Sequence, residues 1–345
     1  MSASRWEAVS PMSAPPAAGV RHDDRTGARI VDRTDNAVAV EFCVDALDQA
    51  PSVRVVGSYT LGKSDFTVDT LETAATGSDP ALEDVEGVGS DLYDSMVRLN
   101  ARLTDARTGA LIRVFISAGR SALHWDEVSE SQHLVALTLV SPAESPAVTF
   151  ETQRDSDRAV SGLANRLRKQ LRQQPRDYGG WLASRRSTAG AGKPPSAAPG
   201  DAAAPVIPHV LNEGSSLAAL CREWLDLADI HYASVFVGGE QIAVADILHH
   251  RGLRHFDSGT TPYERRRFYA ALGHELDDYS TQLDRKVHDL LDGELAYLVL
   301  DVERGAVYYH ALGDRVYLVA VTLDQDRVAE AEVRVRALAR RLQGR

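Results

Sequence analysis

Cysteine is almost missing from this chain: Cys43 and Cys221 are the only two in 345 residues. They lie far apart in apolar surroundings and neither has a C-x-x-C partner. That excludes a disulfide framework and reads as buried, reduced thiols in a cytoplasmic protein. Long hydrophobic runs are missing too, and none approaches the ~20 apolar residues that a membrane-spanning helix needs. Lysine is scarce, with Lys63, Lys169, Lys193 and Lys286 the only ones among 38 basic residues. A formal net charge of −11 speaks against nucleic acid as the partner of the molecule as a whole. No Ser/His/Asp or Cys/His arrangement stands in a recognisable local context, so the reading leans away from an enzyme. What is present is a 44% hydrophobic, 25% charged composition, that of a folded globular protein. The length suffices for two ordinary domains.

The chain divides by composition. Residues 1–27, rich in Ala, Pro and Ser, read as a disordered leader. Residues 28–174 read as a first α+β domain. Residues 175–209, with Gly179-Gly180, Pro194-Pro195 and Pro199-Gly200, read as a flexible linker. Residues 210–345 read as a second α+β domain. In the first half the pattern predicts strands at 37–44 and 53–56, a helix at 90–107, strands at 110–117, 133–140 and 147–152, and a helix at 156–173. In the second half it predicts a helix at 215–228, a strand at 232–237 and an irregular insert at 240–260. Thr261-Pro262-Tyr263-Glu264 then opens a long helix with a capping box and proline in the first turn. Strands at 294–301, 305–311 and 315–322 and a closing helix at 325–342 follow. Helix, three strands, helix thus occurs twice. The short connectors require antiparallel pairing, so the fold class is α+β: two modules, each a mainly antiparallel sheet with flanking helices.

Several residues carry a resemblance. They are the helix Leu217-Ala218-Ala219-Leu220-Cys221-Arg222-Glu223-Trp224-Leu225, the strand Ala233-Ser234-Val235-Phe236-Val237-Gly238-Gly239, the strands at 296–301 and 316–321, and the final helix. Over residues 210–342 this order resembles the roadblock/LC7 family, relatives of the longin and profilin-like folds, and the first half looks like a more divergent copy. The resemblance implies a non-enzymatic platform that pairs with itself and regulates or scaffolds a small GTPase, with no cofactor expected. A chaperone or adaptor for assembly of a larger complex is a further alternative.

Four groups of residues are candidates for chemistry. Gly57-Ser58-Tyr59-Thr60-Leu61-Gly62-Lys63-Ser64 satisfies G-x-x-x-x-G-K-[ST]. As a phosphate loop it would hold an NTP with Mg²⁺ through Gly57, Gly62, Lys63 and Ser64. The following segment, residues 65–71, alternates like a strand, whereas a phosphate loop needs a helix there. Asp84-Val85-Glu86-Gly87 has the D-x-x-G spelling of a metal partner, but no apolar strand leads into it. A plain hairpin turn is the competing reading. His249, His250, His255, His274 and Asp278 could gather round a metal, His274 and Asp278 being one helical turn apart. Solvated polar side chains explain the same residues. Arg166, Arg168, Lys169, Arg172 and Arg176 form a basic run that could engage an acidic partner or simply complement a helix C-terminus. His124-Trp125-Asp126-Glu127 reads as a polar loop between strands.

Overall fold

A computed structural model describes residues 19–71, 79–105, 107–182, 208–212, 214–256 and 259–344. The first half contains strands β1 (Gly19–His22) and β2 (Arg29–Asp32), helix α1 (Ala37–Gln49), strands β3 (Val53–Thr60) and β4 (Lys63–Asp69), helix α2 (Leu82–Thr104), strands β5 (Leu111–Ala118), β6 (Ser121–Glu127) and β7 (Gln132–Leu139), and helix α3 (Pro146–Gln170). The second half contains β8 (His209–Leu211), helix α4 (Ser216–Glu223), β9 (Tyr232–Val237), β10 (Glu240–Asp246), helix α5 (Pro262–Val287), β11 (Tyr297–Val302), β12 (Gly305–Gly313), β13 (Val316–Thr322) and helix α6 (Val328–Gln343).

Local chemistry accounts for these elements. Asn36 caps α1 by accepting from the Ala39 amide. The buried residues Ala39, Val40, Cys43, Val44 and Leu47 then recur at helical spacing. The expected strand at 37–44 is therefore a helix: the Ala-Val-Ala-Val alternation misleads because one face of a 3.6-residue period fits it as well. At α3, Ser145 is the cap and Pro146 the first residue, so the expected strand at 147–152 is the first turns of a helix. The α5 capping box at Thr261 and Glu264 is present as expected. The expected insert at 240–260 is a regular strand, β10, followed by a 3-10 turn at Arg251–Phe256.

All the strands join one antiparallel sheet, in the order β1-β2-β4-β3-β7-β6-β5-β11-β12-β13-β9-β10-β8. The mixed helix and antiparallel sheet class follows the expectation; a separate sheet in each half does not. Within each half the order is the same, β4-β3-β7-β6-β5 in one and β10-β9-β13-β12-β11 in the other, so the last strands in this series, β5 and β11, are equivalent. They pair with each other at the centre, Phe115 opposite Val299, flanked by Val114–Leu300 and Ile116–Leu298. Phe115 and Val299 are themselves related by the sequence offset that maps one half onto the other, so the seam is a local two-fold.

Helices α2 and α5 cover one face of the sheet. Their residues Leu92, Met96, Leu99, Leu272, Leu276 and Leu283 share a core with Val114, Ile116, Leu298 and Leu300. On the opposite face, α1 and α3 bury Val40, Leu47, Leu163 and Leu167, while α4 and α6 bury Leu220, Val335 and Leu338. Both cysteines are buried and free. Within the stretch expected as a leader, residues 19–22 pair in β1 and residues 1–18 lie outside the described residues. Of the expected linker, residues 178–182 pack on the core and 209–211 form β8, while 183–207 lie outside the described residues. No helix among the described residues is long and apolar enough to cross a membrane.

Candidate functional site

The octapeptide 57–64 is a β-hairpin. Residues 57–60 finish β3, Leu61 and Gly62 form a two-residue turn with φ of 51° and 75°, and Lys63 and Ser64 begin β4 opposite Thr60 and Tyr59. Two successive positive φ angles are the geometry of a primed hairpin turn. Gly57 sits in the ladder between Thr67 and Val135, and Ser64 accepts from Arg33. No helix N-terminus follows, so the peptide cannot wrap a phosphate, which corrects the nucleotide reading of Gly57, Gly62, Lys63 and Ser64. The D-x-x-G spelling at 84–87 falls inside α2.

The metal candidates do not converge. His250 is buried and its Nδ1 accepts from the Gly252 amide, while His255 stacks on Phe256. His274 uses its Nδ1 on the Gly239 carbonyl, and His249 and Asp278 are exposed. Among the described residues no group of three or more His, Cys, Asp or Glu side chains could hold a metal ion. The basic run is also mostly spent on structure. Arg168 is buried and donates to the carbonyls of Val128 and Gln174. Arg166 pairs with Asp45 and lies over Phe42, and Arg176 pairs with Glu127 and Glu303. Lys169 and Arg172 remain exposed at the end of α3.

The structure instead brings together a buried polar knot beside the seam. Arg113 of β5 lies opposite Asp301 of β11 and donates Nε to it at 3.0 Å, while its Nη1 donates to Asp157 of α3 at 2.6 Å. The strap after α3 closes the knot. Gly179 N donates to Asp301 at 2.6 Å and Trp181 Nε1 to Asp157 at 2.7 Å. From the far half, Gln325 Nε2 donates to Asp301 at 2.8 Å and to the Asp177 carbonyl at 2.5 Å. Burial alone would raise the Asp157 pKa, but Arg113, His124 and Trp181 outweigh it and hold the carboxyl well below its ordinary value. Burial pushes Asp301 up to about 6, partly offset by Arg113, Gly179 and Gln325, which leaves it ionised at neutral pH. Burial, with the nearby Asp157 and Asp301 carboxylates, raises the Asp126 pKa well above its ordinary value, and Arg113 opposes the shift. Arg113, Asp157 and Asp301 are each no more than 2% exposed, so the knot is a clamp between halves with no route for a substrate.

Sequence reasoning missed this knot because its members come from β5, α3, β11 and the strap. The signal was there: Arg113 and Asp301 are lone charges in apolar strands. His124 and Asp126, expected in a loop, are buried on β6, where His124 bonds Thr138 and lies 3.4 Å from Asp157, while both Asp126 carboxylate oxygens lack a hydrogen-bond partner.

Across the sheet, α2 and α5 lie side by side and antiparallel. Arg102 makes a bidentate pair with Glu275 at 2.7 and 2.8 Å and covers the Phe268 ring. Near the other end of α2, Lys286 donates to the Asp91 carbonyl and to Ser95. The helix α2 carries Glu83, Asp84, Glu86, Asp91 and Asp94 against two arginines, Arg98 and Arg102. Of these carboxylates, Glu83, Asp84, Asp91 and Asp94 are exposed. The exposed side of α2 is thus acid-rich, whereas α5 beside it carries five acidic and five basic residues.

No family model and no curated protein matches the sequence. Among solved structures the chain is similar to MglB of Myxococcus xanthus, a roadblock/LC7-like longin fold. The identity is 15% over 38% of this chain and 95% of that one, with a TM-score of 0.29. It is similar to the gliding protein MglB of Thermus thermophilus at 14% identity over 36% of this chain and 87% of that one, with a TM-score of 0.28. A third similar structure is an MglB with tetrameric arrangement, at 19% identity over 39% of this chain and 89% of that one, with a TM-score of 0.27. Each of these matches covers less than two fifths of this chain.

Proposed function

We propose that this chain is a non-enzymatic regulatory or scaffolding protein that acts by protein–protein association, with a small GTPase as its candidate partner. The observation that carries the reading is the β5–β11 seam, which builds one rigid surface out of two equivalent units and sets α2 and α5 side by side upon it. Buried chemistry at the seam is consumed in holding the halves together, which supports a platform rather than a turnover site. The acid-rich exposed side of α2 favours a partner with a basic face.

The self-pairing implied by the family resemblance is met inside the chain, because β5 and β11 occupy each other's edge. Among the described residues the outer edges are β1 and β8, of four and three residues, which are short templates for further sheet. Light scattering at micromolar concentration should therefore give one chain per particle. The platform itself is tested by capture of purified small GTPases, loaded with GDP or a GTP analogue, on the full chain and on a variant carrying Asp91→Lys and Asp94→Lys. Binding that the double variant weakens supports the reading. Failure to capture in either nucleotide state, or capture indifferent to the charge reversal, overturns it.

A further inference from the structure

Each end of the β5–β11 seam is bounded by a turn that carries an arginine. Under the local two-fold Arg120, between β5 and β6, is the mate of Arg304, between β11 and β12, and Asp292 is the mate of Thr108. The glycines that follow those two positions, Gly109 and Gly293, share a positive φ of 95° and 116°, so the equivalence extends beyond the strands. Arg120 donates Nε to Asp292 at 2.7 Å. Arg304 has a threonine where its mate has a carboxylate, and it forms no ion pair or hydrogen bond among the described residues.

Arg304 and Thr108 line a cavity of about 10 Å³ together with Arg107, Phe256, Arg265 and Leu323. That is room for about one water-sized particle. Among the described residues its wall holds three arginines and no carboxylate. Arg265 is only 2% exposed and forms no ion pair among the described residues. Its Nη2 donates to the Phe256 carbonyl and its Nε is enclosed, so Nη1 is the one nitrogen left to reach an occupant. It lies one turn into α5, near the helix end where the dipole disfavours a cation.

The carboxylates of the neighbouring elements are engaged elsewhere. Glu264 accepts from the Thr261 amide, Glu303 pairs with Arg176, and Asp324 accepts from the Asp326 amide. Arg107 donates to the Gly259 carbonyl. Burial lowers the His231 pKa to about 4, against a hydrogen bond to the Leu227 carbonyl, and His255 and Arg265 add to the fall. A buried cation without a counter-charge is costly, and this one stands in a chain whose net charge is −11.

We propose that this cavity binds a small monovalent anion, chloride by its size, in the role that the Asp292 carboxylate fills at the other end of the seam. A bidentate grip on a carboxylate or phosphate needs two parallel N–H groups from one guanidinium. Arg265 cannot supply them, because Nε is enclosed and Nη2 is bonded. A single-atom anion needs one N–H from each partner, and it fits the space. Bound there, it joins Arg304 of the second half to Arg107 of the first.

The test uses the full chain at fixed ionic strength, with sodium chloride exchanged for sodium gluconate, whose anion is too large for the cavity. Chloride should raise the thermal midpoint saturably, with a roughly millimolar half-point, and the protein should broaden the ³⁵Cl resonance. Thr108→Asp supplies the carboxylate of the mate position and should abolish the broadening. Arg304→Gln, at an exposed residue, should weaken the response by roughly tenfold or more. If Thr108→Asp fails to fold, Arg304→Gln still decides. Arg120→Gln, the same change at the filled end, should leave the chloride response intact. Equal midpoints in chloride and gluconate with no ³⁵Cl broadening overturn the proposal, as does a response that survives both Thr108→Asp and Arg304→Gln. Acetate acting as strongly as chloride overturns the single-atom anion. A response that appears only after Asp257→Asn, at a position outside the described residues, means that the chain neutralises these arginines itself and overturns the proposal too.

Discussion

Gly89 of α2 and Gly273 of α5 sit at the same point of their helices, each under an aromatic ring, from β3 in the first half and from β9 in the second. A methyl group on Gly89 would collide with Tyr59, and one on Gly273 with Phe236. The next strand over supplies a second ring, His133 stacked on Tyr59 in one half and Tyr317 stacked on Phe236 in the other. Helix–sheet packing is thus the same in both halves, while the polar atoms on the second rings are not: the Tyr317 hydroxyl donates to the Gly273 carbonyl, and His133 Nε2 has no partner. The seam shows the same divergence. Arg113 and Asp301 pair at one end, and their mates under the local two-fold, Tyr297 and Ser117, face each other at the other end. The apolar scaffold keeps the symmetry, and buried polar groups break it.

The largest expected effect lies at that broken symmetry. Arg113→Ala strands two carboxylates in the interior and should cost about 3–5 kcal/mol in urea denaturation. Tyr297→Phe, at the mate, removes only a hydroxyl beside Arg336 and should cost no more than about 1 kcal/mol. Equal losses would mean that the two ends of the seam are alike after all. Next come Gly89→Ala and Gly273→Ala, each expected to cost about 1–3 kcal/mol by overpacking against a ring. Measured side by side they should agree, and a large difference would break the equivalence of the helices. Tyr317→Phe should cost about 1 kcal/mol through the lost bond to the Gly273 carbonyl.

Acid sharpens the comparison further. His133 is held near pKa 4 when folded, against the ordinary value of 6.5, so the unfolded chain binds the extra proton in that window. Stability from this group is therefore complete above about pH 6.5 and falls as the pH drops towards 4. His133→Tyr, which copies the second half, should make the fall in thermal midpoint between about pH 7 and pH 4.5 shallower. An unchanged fall would show that the ring is not what titrates. The smallest effect belongs to Lys63→Ala: an exposed residue beside a hairpin turn should change stability by no more than about 0.5 kcal/mol.

Local signals were legible in the sequence and tertiary ones were not. Thr261, Pro262 and Glu264 mark the start of α5 because a capping box closes within four residues. Arg113 and Asp301 are lone charges in apolar strands, yet nothing in either strand says that they are adjacent, since the pairing is made by β5 and β11 across the midpoint of the chain. Residues 124–127 resemble a loop because His124, Asp126 and Glu127 are polar; in the strand, His124 is met by Thr138 of β7 and Glu127 by Arg176, partners distant in sequence. Tyr178 and Trp181 were absorbed into a glycine-rich linker although both are core residues, held by Glu127 and Asp157. The octapeptide at 57–64 spelled a phosphate loop, while the backbone needs its Leu-Gly pair for a tight turn. Gly62 answers to φ and Gly57 to the Tyr59 ring packed against it, not to a ligand.

The seam has one more consequence. When two identical subunits assemble, every substitution appears on both sides of the axis, and a useful change on one face is copied onto the other. Here the two sides are stretches of a single polypeptide, synthesised in fixed one-to-one proportion and never reshuffled between molecules. An ion pair at one end of the seam and an open cationic cavity at the other can therefore coexist in every particle, and whatever docks on this surface meets it in one orientation only.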